Sequence, residues 1–238
     1  MSVWSAQVLL RFHSLKVKAK QEFSTPNASR TLLITCEHAT NFVPKKYQKL
    51  FDPDLLKTHR GWDPGALELA QSMAKAFKAP LIVGEVSRLL VELNRTVKIF
   101  SPFVPQELHQ ELLDTYYHPY WDKVKNALKA QKNILHLSIH SFTPVYEGRV
   151  RKADIGILYD PKVEDEKNFA THWQQALKKE FPHWVIGKNT PYRGTSDGLV
   201  TALRPLFRGK YIGIELEMNQ KHIPFDQERV IATLAKIC

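Results

Sequence analysis

Short apolar runs alternate with longer segments of helical periodicity along most of the chain. In the longer segments, apolar residues recur every three or four positions, as on the buried face of an amphipathic helix. The short runs have the length of a buried strand. The pattern predicts strands at 32–36, 81–83, 89–91, 134–139, 155–159 and 211–216, and helices at 63–77, 105–117, 120–128, 164–181 and 225–237.

Strands that alternate with helices of this length predict an α/β fold, with a mostly parallel mixed sheet covered by helices on both faces. No internal repeat, low-complexity tract or linker divides the sequence, so we expect a single domain over residues 31–238. In such sheets the ligand site lies beyond the carboxyl ends of the strands. The residues that follow each predicted strand are therefore the candidates for chemistry.

Composition narrows the class of protein. The 238 residues are 43% hydrophobic and 24% charged, as in ordinary globular proteins. No apolar run approaches the roughly 18 residues of a membrane span. The net charge is +10, but zinc-finger spacing and basic–aromatic alternation are both missing, so specific nucleic-acid binding is not expected. Cys36 and Cys238 do not form a disulfide framework, which predicts a reducing compartment and a cytoplasmic location.

Residues 1–30 form a basic N-terminal extension with five basic residues against one acidic residue. Its charges follow an apolar stretch instead of preceding it, which argues against a secretory signal. Three interpretations remain open: an organelle transit peptide, a loosely docked extension, and a start codon placed too early.

Polar clusters follow four of the predicted strands. Each alone has an ordinary structural explanation, such as a hydrogen-bonded histidine, a turn cap or a solvated charge. Asp63, which opens a predicted helix before Pro64, is equally well explained as an N-cap. Four clusters at one edge of a sheet are harder to explain in this way. They are Glu37-His38-Ala39-Thr40-Asn41, Asn94-Arg95, His140-Ser141 and Glu215-Leu216-Glu217.

Together these residue types support metal-assisted hydrolysis. Imidazole and carboxylate groups bind divalent ions such as zinc and leave a position for water. A further carboxylate takes the proton during attack, and an arginine binds a substrate carboxylate or a developing oxyanion. The sequence contains no Gly-x-Ser-x-Gly nucleophile elbow, phosphate-binding loop or dinucleotide fingerprint. Cys36 lies in an apolar run, which favours a buried structural thiol over a nucleophile.

Seven motifs occur in a fixed order along the sequence. They are CEHATN, HRGWDPGALELA, VSRLLVELNRT, LHLSIHSFTPV, ADIGILYDP, NTPYRGTSDGL and GIELEMNQ. With these motifs the sequence resembles the N-formylglutamate amidohydrolase family, which is related in fold to zinc carboxypeptidases and aspartoacylase, over nearly everything from Thr31 to the C-terminus. The resemblance implies a phosphorylase/hydrolase-like α/β fold with a metal at the strand ends.

The resemblance also implies roles for individual residues. His38 and His140 match the metal-binding histidines of these enzymes, and Glu215 matches their general base. Asn94-Arg95 resembles their substrate-binding pair. Further candidates are Glu217 as an alternative to Glu215, because both share one face of a strand, and Arg88 and Arg193 for a second substrate carboxylate.

One position departs from the carboxypeptidase pattern. A glutamate three residues after the first histidine is replaced here by Asn41. The carboxylate ligand must then come from elsewhere, and we rank Glu37 slightly ahead of Asp63 because Asp63 is available as a helix cap. His59, four residues before Asp63, is a further candidate.

The implied reaction is hydrolysis of N-formyl-L-glutamate to formate and glutamate, with zinc as the expected metal and cobalt or manganese as alternatives. The substrate is then a small acidic N-acyl amino acid. Two other functions stay open: an amidase or carboxypeptidase-like hydrolase of another N-acyl amino acid or small peptide, and a metal-free binding protein for acidic ligands.

Overall fold

The computed structural model describes residues 30–238, so the basic N-terminal extension up to residue 29 lies outside the described residues. Eight strands are present in this part of the chain. They are β1 (Thr31–Cys36), β2 (Leu81–Val83), β3 (Ile134–Phe142), β4 (Val145–Tyr146), β5 (Arg149–Val150), β6 (Ile155–Leu158), β7 (Ile186–Lys188) and β8 (Tyr211–Asn219).

Six of these strands form one sheet in the order β2-β1-β3-β8-β6-β7. The strands β2, β1, β3 and β8 are parallel, whereas β6 pairs with β8 in the antiparallel sense. The prediction of a mostly parallel mixed sheet is confirmed. The strands are short apolar runs because both faces of the sheet are buried, which removes the alternation of polar and apolar residues.

Helices cover both faces of this sheet. One apolar cluster joins it to α2, α5 and α7, and a second cluster joins the opposite face to α4 and α6. The α-helices are α1 (Pro53–Leu56), α2 (Ala66–Phe77), α3 (His109–Leu112), α4 (His118–Lys129), α5 (Glu164–Glu180), α6 (Leu199–Leu203) and α7 (Gln227–Ala235). Shorter 3₁₀ segments occupy Lys45–Leu50, Gln106–Leu108 and Gln220–His222. Within the described part of the chain, no helix combines the length and apolar composition needed to cross a membrane.

One predicted strand is wrong. The apolar run 89–91 is a turn and not a strand, because its backbone folds back on Ser87, whose carbonyl accepts hydrogen bonds from Leu90 and Val91. The predicted boundary between the helices 105–117 and 120–128 is present: a π-helical turn over Leu113–Tyr117 connects α3 to α4, which begins at His118 with Pro119 in its first turn. A residue that lacks an N–H is tolerated in the first turn of a helix.

A small hairpin of β4 and β5 follows the central strand β3. Glu147 and Gly148 form its two-residue loop, with φ angles of 48° and 73°. Positive φ at both central residues is the geometry that favours a tight hairpin turn. The hairpin places Tyr146 opposite Arg149 on adjacent strands.

Candidate metal and substrate site

The candidate residues meet at the carboxyl ends of three neighbouring parallel strands. His38 follows β1, His140 lies near the end of β3, and Glu217 is its partner in register on β8. Glu215 pairs with Ser138 two residues earlier. Because residues two apart point to the same side of a strand, these side chains share one face of the sheet.

Two imidazole rings and one carboxylate form the centre of the site. The Oδ2 atom of Asp63 lies 3.2 Å from Nδ1 of His38 and 3.0 Å from Nδ1 of His140. The two ring centroids are 5.0 Å apart. All three side chains are buried. One ligand atom from each residue lies within 4.8 Å of the other two, which is close enough for all three to bind one ion.

Each ring directs its other nitrogen towards a second carboxylate. Nε2 of His38 is 2.5 Å from Oε1 of Glu92, and Nε2 of His140 is 3.1 Å from Oε2 of Glu37. A ring that donates its Nε2–H keeps the Nδ1 lone pair free for a metal ion. Metal-binding histidines commonly have such an outer carboxylate partner. The donor set therefore fits a divalent metal ion.

Asp63 does not cap a helix, so that prediction is wrong. The residue before α2 is Gly65, with a φ angle of 80° and no side-chain capping bond. The carboxylate of Asp63 turns to the histidines instead, while its backbone oxygen accepts from the N–H of Ala66. The reason for ranking it below Glu37 as a ligand is thereby removed.

Glu37 lies on the outer side of the His140 ring. Its carboxylate accepts hydrogen bonds from the hydroxyls of Tyr120, at 2.9 Å, and Ser138, at 2.6 Å. The atom that it contacts on His140 is Nε2, whereas the three converging ligand atoms include Nδ1 of that ring. The geometry consequently favours Asp63 over Glu37 as the carboxylate ligand.

The electrostatics of this cluster favour a positive charge at its centre. Burial raises the pKa of Asp63, but His38 and His140 outweigh burial and hold that pKa well below its usual range. Burial lowers the pKa of His140, and hydrogen bonds to Asp63 and Glu37 reverse this effect and raise it well above the usual value. Carboxylates held ionised around two imidazoles are suited to binding a cation.

Glu92 is a site residue that the sequence analysis missed. Burial raises its pKa, but the charges of Arg88 and His38 hold it well below the usual range. Arg88 donates two hydrogen bonds to its Oε2, at 2.9 and 2.6 Å. A charged residue inside the apolar run LLVEL, four positions after an arginine, was the available signal.

Glu215 and Glu217 both border the site. Burial raises the pKa of both carboxyl groups, that of Glu217 to about 8. The Oε2 atom of Glu215 lies 3.9 Å from Nε2 of His140. The Oε2 atom of Glu217 is buried and has no hydrogen-bond partner within residues 30–238. Both are suited by position to exchange a proton with a bound molecule.

A cavity of about 160 Å³ opens beside the cluster. It is smaller than the roughly 300–1,000 Å³ of sites for drug-sized ligands, which indicates a ligand of about amino-acid size. Tyr192, Ser196 and Asp197 also contribute to its wall. The predicted residues that line it are His38, Asp63, Arg88, Asn94, Arg95, His140, Arg193, Glu215 and Glu217.

The three arginines of the cavity differ in how many of their N–H donors are already bound to other groups of the protein. Arg88 is bound to Glu92 and also approaches Asp63, at 3.4 Å. Arg95 donates from Nη1 to the carbonyl of Asn94, at 2.7 Å. Arg193 is exposed at the rim of the cavity. Arg95 and Arg193 thus keep more donors for a ligand than Arg88.

Two side chains connect the segment that carries Arg95 to the loop that carries Arg193. Oδ1 of Asn94 accepts from the N–H of Leu199, at 2.8 Å. The carboxylate of Asp197 accepts from the N–H of Thr96, at 3.1 Å. The two segments are held together by hydrogen bonds, which fix the part of the cavity wall that carries Arg95 and Arg193.

The helical run from α3 to α4 contacts the site through two tyrosine hydroxyls. Tyr117 donates from its hydroxyl to the carbonyl of Arg95, at 2.7 Å, and Tyr120 donates to Glu37. The π-helical turn ends at Tyr117. An interruption of the α-helix in this position changes the direction of the side chains that follow.

Two predicted residues are not in the cluster. His59 is exposed and packs edge-to-face against Tyr146, with ring centroids 6.4 Å apart. Asn41 is half-buried in the loop after β1 and is not part of the cavity lining. Asn41 therefore stands at the position of the carboxypeptidase glutamate but does not supply a metal ligand in its place.

Known proteins resemble this chain over most of its length. A gene product of Agrobacterium tumefaciens has a solved structure that is 26% identical, with a TM-score of 0.70, over 87% of this chain and 88% of that chain. The N-formylglutamate amidohydrolase of Ralstonia eutropha is 15% identical, with a TM-score of 0.62, over 88% and 94%. The second likeness shows the fold alone. No significant match was found among curated proteins.

The family model of N-formylglutamate amidohydrolase matches residues 30–107 and 97–223, which together make up most of the chain. The matched segments include the clustered histidines, Asp63, and both carboxylates on β8. They also contain the two arginines with free donors. The chain belongs to the N-formylglutamate amidohydrolase family.

Proposed function

We propose that this protein hydrolyses the amide bond of N-formyl-L-glutamate and releases formate and L-glutamate. The observation that carries the proposal is the buried group of His38, Asp63 and His140 beside a cavity lined by three arginines. Basic side chains in a small cavity are suited to a small dicarboxylate. The family match supports the same reaction class.

His38, Asp63 and His140 would hold the metal ion, and zinc suits their nitrogen and oxygen donors. A divalent ion bound there supplies a Lewis acid that polarises the amide carbonyl and makes water more acidic. Glu92 and Glu37 hold the two rings in the orientation that leaves Nδ1 free. Arg88 positions Glu92.

Glu215 is the proposed general base. Its side chain is 10% exposed and faces the cavity, whereas Oε2 of Glu217 is fully buried. Glu215 takes the proton of the attacking water and returns it to the nitrogen of the leaving glutamate. Glu215→Gln should lower kcat by about 10²- to 10⁴-fold, and Glu217→Gln should lower it less. The reverse order would assign the base to Glu217.

Arg95 and Arg193 are the proposed donors to the two substrate carboxylates. An arginine presents two parallel N–H groups to a carboxylate, which a lysine does not. Arg95→Lys should therefore raise KM about tenfold while the charge is kept. Arg208→Lys is the matched control on an exposed position. An unchanged KM in Arg95→Lys would contradict its role in recognition.

The decisive experiment measures formate release from N-formylglutamate, with and without a chelator, followed by addition of zinc, cobalt or manganese. Release that is lost with the chelator and restored by one metal is the expected result. The same assay with N-acetylglutamate and short N-acyl peptides tests the acyl group. Clear preference for a non-formyl substrate would contradict the proposed substrate and leave the reaction class intact.

A further inference from the structure

A second cavity lies next to the candidate active site. Its volume is about 420 Å³, and it is formed by the hairpin of β4 and β5, the residues that follow it, and the segment 190–192. Tyr192 lines both this cavity and the active-site cavity, while the adjacent Arg193 lines only the latter. A ligand that extends from the active site past Tyr192 would therefore enter the second cavity.

Arg151 holds the wall between the two cavities in place. Its guanidinium carbon is 4.7 Å from the ring centroid of Tyr146 and 5.0 Å from that of Tyr192. It also donates from Nη1 to the hydroxyl of Tyr192, at 2.9 Å. A guanidinium between two aromatic rings is favoured by cation–π attraction. The hairpin and the loop are consequently connected by a fixed, positively charged side chain.

The second cavity is strongly basic. Arg149, Arg151 and Lys152 line it, with Glu147 as the single acidic residue. Arg149 and Lys152 are exposed, and neither forms an ion pair within residues 30–238. Free cations around an aromatic wall favour a ligand with a carboxylate over a neutral or basic one.

We propose that this cavity is a subsite for an acidic extension of the substrate, so that the enzyme also accepts N-acyl peptides in which an acidic residue follows the acylated glutamate. The inference rests on the proposed function, because the extension is attached to the glutamate bound in the active site. In such a peptide the α-carboxylate of this glutamate is a peptide carbonyl, which accepts a hydrogen bond from one arginine, while the γ-carboxylate keeps the other arginine. Arg149 and Lys152 contact the additional carboxylate. Hydrolysis remains the same: water cleaves the acyl amide, giving a carboxylic acid and a free α-amine.

The test compares formate release from N-formyl-glutamyl-glutamate and N-formyl-glutamyl-lysine. The wild-type enzyme should show a kcat/KM about five- to tenfold higher for the acidic peptide, the scale of a few exposed charge contacts. The double variant Arg149→Gln, Lys152→Gln should lose most of this preference. Lys178→Gln, Lys179→Gln removes the same charge from the distant helix α5 and should retain it.

Equal kcat/KM values for the two peptides in the wild-type enzyme would overturn the subsite while leaving the proposed reaction standing. Failure of the reaction itself is separated by calorimetric binding of N-acetyl-glutamyl-glutamate and N-acetyl-glutamyl-lysine, which needs no turnover. If formate is never released, tighter binding of the acidic peptide that disappears in the double variant supports the subsite. Equal binding of both peptides overturns it.

Discussion

Two buried histidines on the same strand have opposite electrostatic environments. His136 and His140 lie four residues apart on β3 and face the same side of the sheet. His136 is hydrogen-bonded to two hydroxyls, Thr35 Oγ1 at 2.9 Å and Tyr211 at 2.6 Å. His140 contacts two carboxylates instead.

The hydrogen-bonding partners of each ring determine whether its pKa is lowered or raised. Burial lowers the pKa of His136 to about 4, and its hydroxyl partners carry no charge to oppose this effect. At His140, the carboxylates outweigh burial and raise the pKa. β3 thus holds a neutral structural ring, His136, near its start, and a ring with charged partners, His140, near its carboxyl end beside the candidate metal site. Burial alone does not identify a functional histidine.

The largest effect is expected from replacing His140, the histidine with charged partners. His140→Gln removes one proposed metal ligand, so metal content should fall to background. Formate release should fall by about three orders of magnitude, the scale seen when one member of a catalytic unit is removed. Metal analysis after purification and the formate assay measure both effects. Full metal content in the variant would contradict the ligand assignment; His136→Gln, the control, should retain its metal.

The low pKa of the neutral histidine, His136, should make the free energy of unfolding depend on pH. The pKa of His136 is lower in the folded protein, about 4, than the ordinary value of 6.5, so the unfolded state binds more protons between these values. The contribution of neutral His136 to the free energy of unfolding is therefore fully present above pH 6.5. It is lost as the pH falls towards 4, by up to about 3 kcal/mol. Urea unfolding at several pH values measures this loss.

A matched pair of variants separates His136 from the other groups that titrate in this range. Neighbouring charges act on its pKa, with Glu37 raising it and Arg204 lowering it. His136→Gln should flatten the dependence of unfolding free energy on pH between 4 and 6.5. His172→Gln, on the exposed side of α5, should leave it as in the wild type. Identical slopes in both variants would refute the assignment to His136.

A smaller effect is expected from Glu92, which orients the His38 ring. Glu92→Gln keeps a hydrogen-bond acceptor but removes the charge, so metal affinity should fall by about 10- to 100-fold. Competition with a chromogenic chelator measures this affinity. Glu107→Gln, at an exposed glutamate, is the control. An unchanged affinity in Glu92→Gln would show that Glu92 does not support the ligand.

The smallest effect is expected from the hydroxyl of Tyr211. Tyr211→Phe removes a hydrogen bond to the buried His136 ring and should lower the free energy of unfolding by about 1–2 kcal/mol. Metal affinity should stay unchanged, because Tyr211 contacts the neutral ring. Denaturant unfolding and the chelator competition are measured together. A large loss of metal affinity would mean that the two ends of β3 are more strongly coupled than their contacts indicate.

The sequence predicted most of the fold because its signals are local. The boundaries of β2 agree with the apolar run Leu81–Val83, and α5 ends within one residue of the predicted helix. The run 89–91 was misread because a buried turn is as apolar as a strand. The antiparallel strand β6 was not distinguished from the parallel ones, since strand direction leaves no mark on a short apolar run.

The sequence also predicted that the polar clusters after β1, β3 and β8 meet at one edge of the sheet, because the carboxyl ends of parallel strands lie together there. Asn94-Arg95 reaches the same cavity from the turn after 89–91 and not from a strand end. The sequence did not decide which carboxylate faces which ring. From its neighbours in the sequence, Asp63 is expected to cap a helix, and Glu92 is a single charged residue inside an apolar run. Their partner His38 lies 25 residues from Asp63 and 54 residues from Glu92 along the chain.

The sequence by itself determined most of the helices, five strands of the main sheet and most of the polar residues that follow them, because periodicity is a property of neighbouring residues. It did not reveal β4, β5 and β7, and it placed a strand at 89–91 where the chain turns. The tertiary structure decided the roles of the polar residues. It turned Asp63 towards two imidazoles, placed Glu37 and Glu92 behind them, and left His136 neutral. The physical reason is that the charge and orientation of a buried side chain depend on partners from distant segments, which only packing brings into contact.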